Sequence, residues 1–274
     1  MVHGEKPQTH RIDMNTPSVA RMYDALLGGV TNYEVDRDAC NRLLRIAPST
    51  QLLARNNRAF LRRVVRTLVV KHGVRQFLDH GSGLPTLENV HEVAQQLDDT
   101  CRVAYVDNDP MVHAFGRTTL DENDNTLVIN ADMRHSAEIF KATEEFFDWT
   151  KPICGLFVSV LHCLPDRDDD LDPGAMLKRV AEELPPGSFL VICQLVSDDP
   201  DVRDGVTQLM EEQTGGRWGR VRRREEVRAY FTDNELSIMD PGLVDVVDWN
   251  PDTPVPPPEL RATDWVEWGG VARL

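Results

Sequence analysis

Val74-Arg75-Gln76-Phe77-Leu78-Asp79-His80-Gly81-Ser82-Gly83-Leu84-Pro85-Thr86 carries an apolar run straight into a glycine turn, and a helical pattern follows. Residues 74–78 predict a buried first strand. Glycines at the carboxyl end of a strand let the backbone approach a ligand closely, and the helix behind them offers free N–H groups. In a doubly wound sheet this turn lies at the topological switch point, where ligands bind. Taken alone, Gly-x-Gly reads equally as a tight turn, so its meaning rests on the chain around it.

Downstream, apolar, β-branched runs alternate with amphipathic stretches. Runs at 102–106, 126–129, 153–161 and 188–196 predict strands, with helices near 86–97, 110–119, 136–148 and 173–184. Pro173 and Pro200 stand at first-turn positions, with Asp172 and Asp199 as caps. Strands and helices alternating at this spacing imply βαβ units and a parallel sheet. Residues 236–247 and 265–274 read as two further strands. The proline-rich segment between them, 249–258, excludes a helix, so an antiparallel hairpin closes the sheet.

Upstream, the first 70 residues predict helices only. Thr16 and Pro17 are read as N-cap and first position of a helix bearing Val19, Met22, Tyr23 and Leu26, stopped by Gly28-Gly29. A second carries Val35, Ala39, Leu43 and Ile46, and a third spans about 51–70. The expected organisation is a helical extension over residues 1–70 and an α/β domain over 71–274.

Two acidic residues sharpen the reading of the glycine turn. Asp107 ends the second strand, 28 residues after Asp79, where a carboxylate takes both ribose hydroxyls. Asp132, after the third strand, is placed to accept from an exocyclic adenine amine, with a helix-cap role as the alternative. The dinucleotide fingerprint Gly-x-Gly-x-x-Gly lacks its third glycine here, because Thr86 stands in that position. Asp79 would also face a pyrophosphate unfavourably. A cationic ligand with an amino group suits it better, and S-adenosylmethionine (AdoMet) is such a ligand.

The chain resembles class I AdoMet-dependent methyltransferases, and more narrowly an actinobacterial family of S-adenosyl methyltransferases formerly classed as a domain of unknown function. The matching stretches are Pro17–Gly29, Asn57–Leu61, Phe77–Thr86, Val106–Pro110 and Pro241–Val244. The resemblance implies a Rossmann-like α/β fold with a seven-stranded sheet whose last strand is antiparallel. It implies that Asp79, Gly81, Ser82 and Gly83 hold the methionine moiety, Asp107 and Asn108 the ribose, and Asp132 and Met133 the adenine. Ser159, ending the fourth strand, would border the sulfonium. Tyr23 and Gly29 would be lid contacts from the N-terminal helices, and Arg58 would meet the cofactor carboxylate or form a structural ion pair. His80 departs from the aliphatic residue expected in that loop and is predicted to point away from the ligand.

Methyl transfer from a sulfonium is an in-line displacement that alignment in a dry site accelerates, so the reaction dictates no fixed catalytic residue. A hydroxyl or protonated amine acceptor would profit from a base. His162 is the candidate, with Asp24 and Tyr33 behind it and a structural role as its alternative. An AdoMet-binding regulator without transferase activity stays open, as does a nicotinamide-dependent oxidoreductase.

Bulk properties narrow the partners. With a net charge of -15 the chain repels a phosphate backbone, so a small-molecule acceptor is expected and nucleic acid is not. The basic stretch 217–228 reads as a solvated helix face, and the acidic run 166–172 as solvated charge. No stretch of about 18 apolar residues predicts a membrane span, and residues 1–10 lack the apolar run of a signal peptide. The five cysteines form no C-x-x-C pair, so neither zinc nor a disulfide framework is expected and a reduced, cytoplasmic setting is. A homodimer stays open alongside a monomer.

Overall fold

The computed structural model describes residues 12–86, 88–120, 123–257, 261 and 264–274. Three helices lead: α1 (Val19–Leu27), α2 (Glu34–Ile46) and α3 (Thr50–His72). Strand and helix then alternate through β1 (Gln76–His80), α4 (Val90–Leu97), β2 (Arg102–Asp107), α5 (Pro110–Thr119), β3 (Thr126–Asn130), α6 (Ser136–Thr143) and β4 (Cys154–Val158). After β4 come α7 (Pro173–Glu183), β5 (Phe189–Val196), α8 (Pro200–Thr214) and α9 (Arg224–Thr232). The short β6 (Ser237–Ile238) and β7 (Val244–Asp245) precede the closing β8 (Val266–Arg273). One sheet holds them in the order β3-β2-β1-β4-β5-β8-β6, with β7 also paired to β8. The strands from β3 to β5 are parallel, and β8 runs antiparallel to β5. This is the parallel sheet expected from the βα alternation and the Rossmann-like architecture implied by the resemblance.

Both faces of the sheet are covered, which suits strands apolar at every position. Phe77, Val103 and Leu156 face one way, in a core shared with Phe60, Val64 and Leu68 of α3. Their neighbours Leu78, Ala104 and Phe157 face the other way, against Met176 and Val180 of α7 and Phe231 of α9. That is the period-two alternation of a pleated strand. Each such side chain, fully removed from water, contributes about 1.5–3 kcal/mol. A third core joins Met22 and Leu26 of α1, Leu43 of α2, Met210 of α8, Trp218 and Trp265. Arg21 and Asp36 lie buried between α1 and α2, 2.7 Å apart, and Asp36 also accepts from the Ser18 and Tyr33 amides.

The structure corrects several boundaries. Helix α1 is capped at Ser18, not Thr16, and its Ser18 hydroxyl donates to Asp109 Oδ2 instead of capping. Helix α4 starts at Val90, four residues after the expected start, because Asn89 and Glu92 form a capping box there. Helix α6 ends at Thr143, short of 148. The strand expected over 236–247 is broken into β6 and β7 by a turn containing a cis Asp240-Pro241 bond. The basic stretch 217–228 is not one solvated face. Arg222 is 1% exposed, donating to the Leu161 and Leu164 carbonyls and pairing with Asp166. Arg220 bridges Asp166 and Glu226. The first residue of the acidic run is thereby a clamp on the turn after β4.

Asp172 caps α7 as expected, accepting from the Gly174 and Ala175 amides at 2.8 and 3.4 Å. Asp172→Ala should cost about 1 kcal/mol, read as a lower midpoint in urea unfolding without a change in slope.

Candidate active site

A cleft of about 480 Å³ opens at the carboxyl ends of β1, β2, β3 and β4, the size of a small-molecule site. The switch point falls at β1, which pairs with both β2 and β4. Immediately after β1 the chain turns back. The Gly81 and Ser82 amides donate to Val106 O at 2.8 and 3.1 Å, binding the loop to β2. Gly81 has φ 69°, and a Cβ built there would lie 2.3 Å from Val160 Cγ2. The backbone can run against Val160, in the turn after β4, only because Gly81 has no side chain.

Asp107 then fixes the other side of the loop. Its Oδ2 accepts from Gly83 N at 2.9 Å and its Oδ1 from Asp109 N at 2.9 Å. Burial raises its carboxyl to about 6, opposed by those amide hydrogen bonds. Asp79 faces the same cleft and takes no hydrogen bond from any described side chain or amide. Burial drives its carboxyl up to about 7, with Arg58 opposing and Asp107 adding to the rise. An ammonium placed there restores the charged form.

Asp132 also lines the cleft, but not alone: Arg134 grips it with Nε at 3.0 Å and Nη2 at 2.6 Å, and its own amide adds a third bond. The pairing holds the carboxyl below its usual range despite partial burial. Met133 lies beside it, and an added Gly81 Cβ would come within 3.0 Å of Met133 Cε. Ser159 directly follows β4 at φ 57°, a left-handed conformation that non-glycine residues occupy at a cost of order 1–3 kcal/mol. Its amide donates to Cys193 O, and its hydroxyl to Glu267 Oε1.

The roof comes from the N-terminal helices. Pro17 to Ala20 and Tyr23 line the cleft from α1, and Asn57, Arg58 and Leu61 from α3. The Ser18–Asp109 hydrogen bond ties the start of α1 to the turn after β2. Tyr23 donates to Ala54 O and accepts from Asn57 Nδ2. Arg58 also donates to Glu88 O at 3.0 Å.

The cleft therefore gathers Tyr23, Asp79, Gly81, Ser82, Gly83, Asp107, Asn108, Asp132, Met133 and Ser159. Gly29 is not among its lining residues. An added Gly29 Cβ would sit 2.0 Å from Asp24 Oδ1, so this glycine makes room for that carboxylate. Asp24 in turn accepts from Thr31 N and Asn32 Nδ2, and Tyr33 carries the Arg21 guanidinium over its ring. Neither lines the cleft. His162 lies outside it too, buried 4.9 Å from the Trp218 ring. Burial and the Arg222 charge push it down to about 3, a weak proton acceptor. His80 is fully buried and stacks on Phe157 at 4.2 Å, turned away from the cleft. Asp109, Arg134, Trp218 and Glu267 were not legible as site residues. The one signal was Glu267, a carboxylate inside an otherwise apolar strand run. Among the described residues no cluster of side chains could hold a metal ion.

Residues 5–274 match the S-adenosyl methyltransferase family. The chain belongs to that family. It is similar to a candidate methyltransferase of known crystal structure from Thermobifida fusca, at 35% identity over 96% of each chain and a TM-score of 0.86. It is likewise similar to a DUF574 family protein from Streptomyces avermitilis, at 31% identity over 96% of this chain and 99% of that one, with a TM-score of 0.85. No curated protein matches. This S-adenosyl methyltransferase is an AdoMet-dependent enzyme, and its residues fit the cofactor. The Gly81 cradle admits backbone contact where a side chain would collide, and the buried Asp79 carboxyl, raised to about 7, is a group that a cation would return to its charged form. No helix of the described residues is long and apolar enough to cross a membrane.

Proposed function

We propose that this methyltransferase acts on a small-molecule acceptor, held beside the cofactor under α1 and α3. The observation that carries the reading is the enclosure of the site. The cleft is roofed by Pro17 to Ala20 and Tyr23, with α1 tied down to the ribose turn, and a second, smaller cavity adjoins it at Ser159. That roof narrows access for a folded protein or duplex, and the net charge of -15 opposes nucleic acid further. AdoMet supplies a methyl group on a sulfonium, and the protein supplies alignment and exclusion of water. Asp79 pairs with its amino group, and Gly81, Ser82 and Gly83 line the methionine moiety. Asp107 and Asn108 take the ribose, Asp132 and Met133 the adenine, and Ser159 borders the sulfonium. Free cysteines throughout support a cytoplasmic setting, and both solved relatives come from actinobacteria, the group we propose for this chain.

Incubation with methyl-tritiated AdoMet and a size-fractionated extract tests the proposal. Label should enter the fraction of small metabolites. Transfer confined to the protein or nucleic-acid fraction would refute it.

The Asp79 role predicts a pH dependence of binding. Burial sets its carboxyl near 7, above its ordinary value, while pairing with an ammonium requires the carboxylate. Affinity for S-adenosylhomocysteine should therefore be full above that value and fall about tenfold between pH 8 and pH 6, with a proton released on binding. Calorimetry in buffers of different ionisation enthalpy counts that proton. Asp79→Asn should bind more weakly and lose the slope; a slope that survives the change assigns the titration elsewhere.

A further inference from the structure

Beside the cofactor cleft lies a separate cavity of about 60 Å³. The two share Val19, Tyr23, Ser159 and Trp218 as walls. The rest of its lining is largely apolar, with Leu26, Leu43 and Met210 among it, and Trp265 adds a third aromatic side chain. Strand β8 sets Glu267 in this wall, opposite Leu195 in the register with β5. Glu267 is 1% exposed. One of its oxygens accepts from Ser159, whereas Oε2 is buried and meets no hydrogen-bond partner among the described residues. A buried carboxylate oxygen left without a partner is costly, and native structures retain such groups where a ligand or reaction uses them.

We infer that this cavity is the acceptor subsite and that Glu267 recognises a small amine there and takes its proton. The inference rests on the methyltransferase reading above. An ammonium group supplies the donor that Oε2 lacks, and aromatic side chains favour a cation over a neutral group of equal size. Burial raises the Glu267 carboxyl to about 8, so an ammonium is the ligand that restores its charged form, whereas an anionic or neutral acceptor leaves it protonated. The cavity volume admits the reacting end of the acceptor and a few atoms beyond it, no more.

The chemistry follows from the proton. An ammonium nitrogen has no free electron pair, so it must first lose a proton, and Glu267 Oε2 accepts it. The nitrogen then forms its bond to the methyl carbon. The carbon–sulfur bond breaks with its electron pair left on sulfur, giving S-adenosylhomocysteine and the protonated N-methylamine. Burial lifts the Glu267 carboxyl to about 8, opposed by the hydrogen bond from Ser159. That makes it a far stronger proton acceptor than His162, the histidine in this wall, which is held near 3, while burial keeps the Tyr23 phenol protonated.

The test uses the full-length protein saturated with S-adenosylhomocysteine. It is titrated with n-propylamine and, separately, with its neutral isostere n-propanol, following the fluorescence of the tryptophans that line the cavity. Propylamine should bind at least about tenfold more tightly than propanol. Glu267→Gln, which keeps the shape, should bring the two within about twofold while S-adenosylhomocysteine affinity stays within about threefold. Equal binding of the two probes to the unaltered protein overturns the inference without needing any variant, as does failure of propylamine to bind. A preference that survives in Glu267→Gln overturns the assignment of the residue. A protein that binds no S-adenosylhomocysteine removes the underlying cofactor reading instead, and the inference with it.

Discussion

Asp107→Ala should weaken S-adenosylhomocysteine binding on the order of 100-fold or more. A carboxylate that accepts from two ribose hydroxyls contributes charge-assisted hydrogen bonds of about 1.5–3 kcal/mol each, and a factor of ten corresponds to about 1.4 kcal/mol. The same side chain holds Gly83 N and Asp109 N, so its loss also releases the backbone of the glycine loop. Asp109 in turn anchors Ser18 at the start of α1. The loss should therefore exceed the two ribose bonds alone. Calorimetric titration with S-adenosylhomocysteine measures it. A dissociation constant within threefold of the unaltered protein would remove Asp107 from the ribose site. Asp107→Asn separates the two contributions, because the amide keeps an acceptor for one loop N–H but loses the charge.

The second large effect concerns stability. Gly81→Ala places a methyl 2.3 Å from Val160 Cγ2 and 3.0 Å from Met133 Cε, at a residue whose φ of 69° an L side chain adopts only with strain. The left-handed backbone costs about 1–2 kcal/mol and overpacking about 1–3 kcal/mol, for a sum of roughly 2–5 kcal/mol. Gly83 is the internal control. It has φ 67°, but nothing lies within 4 Å of an added Cβ, so Gly83→Ala should lose about 1–2 kcal/mol, from the backbone alone. Urea unfolding of both variants decides the matter. Equal losses at the two positions would show that the contact with Val160 relaxes freely, and that this tight approach is not what glycine 81 serves.

The βα alternation, the parallel sheet and its antiparallel close were all legible from residue 74 onward. Phe77 and Leu78, Val103 and Ala104 are apolar on both faces, and only a sheet covered on both sides buries them. Caps at Asp172 and Asp199 were legible for the same local reason, since a short side chain acceptor before a proline satisfies first-turn amides wherever it occurs. The errors are also local. The pattern over 236–247 contains enough apolar residues for one strand, yet Pro241 and Gly242 interrupt the ladder, and pairing with β8 resumes only at Val244. Pro17 resembled a first-turn residue, but Ser18 is where the backbone leaves the extended conformation.

By itself, then, the chain's sequence determined the sheet, the glycine turn and the carboxylates at the ends of β1, β2 and β3, because each depends on residues close along the chain. What only the tertiary structure decided is how distant segments complete the site. Arg222 reaches back to the turn after β4, Ser18 closes onto Asp109, and Glu267 of the last strand meets Ser159 just after the fourth, 108 residues away. No periodicity encodes such contacts, since they arise when strand order brings β4, β5 and β8 side by side. The glycine turn forms one wall of the cleft, and the buried carboxylate of Glu267 reaches Ser159 only through sheet topology.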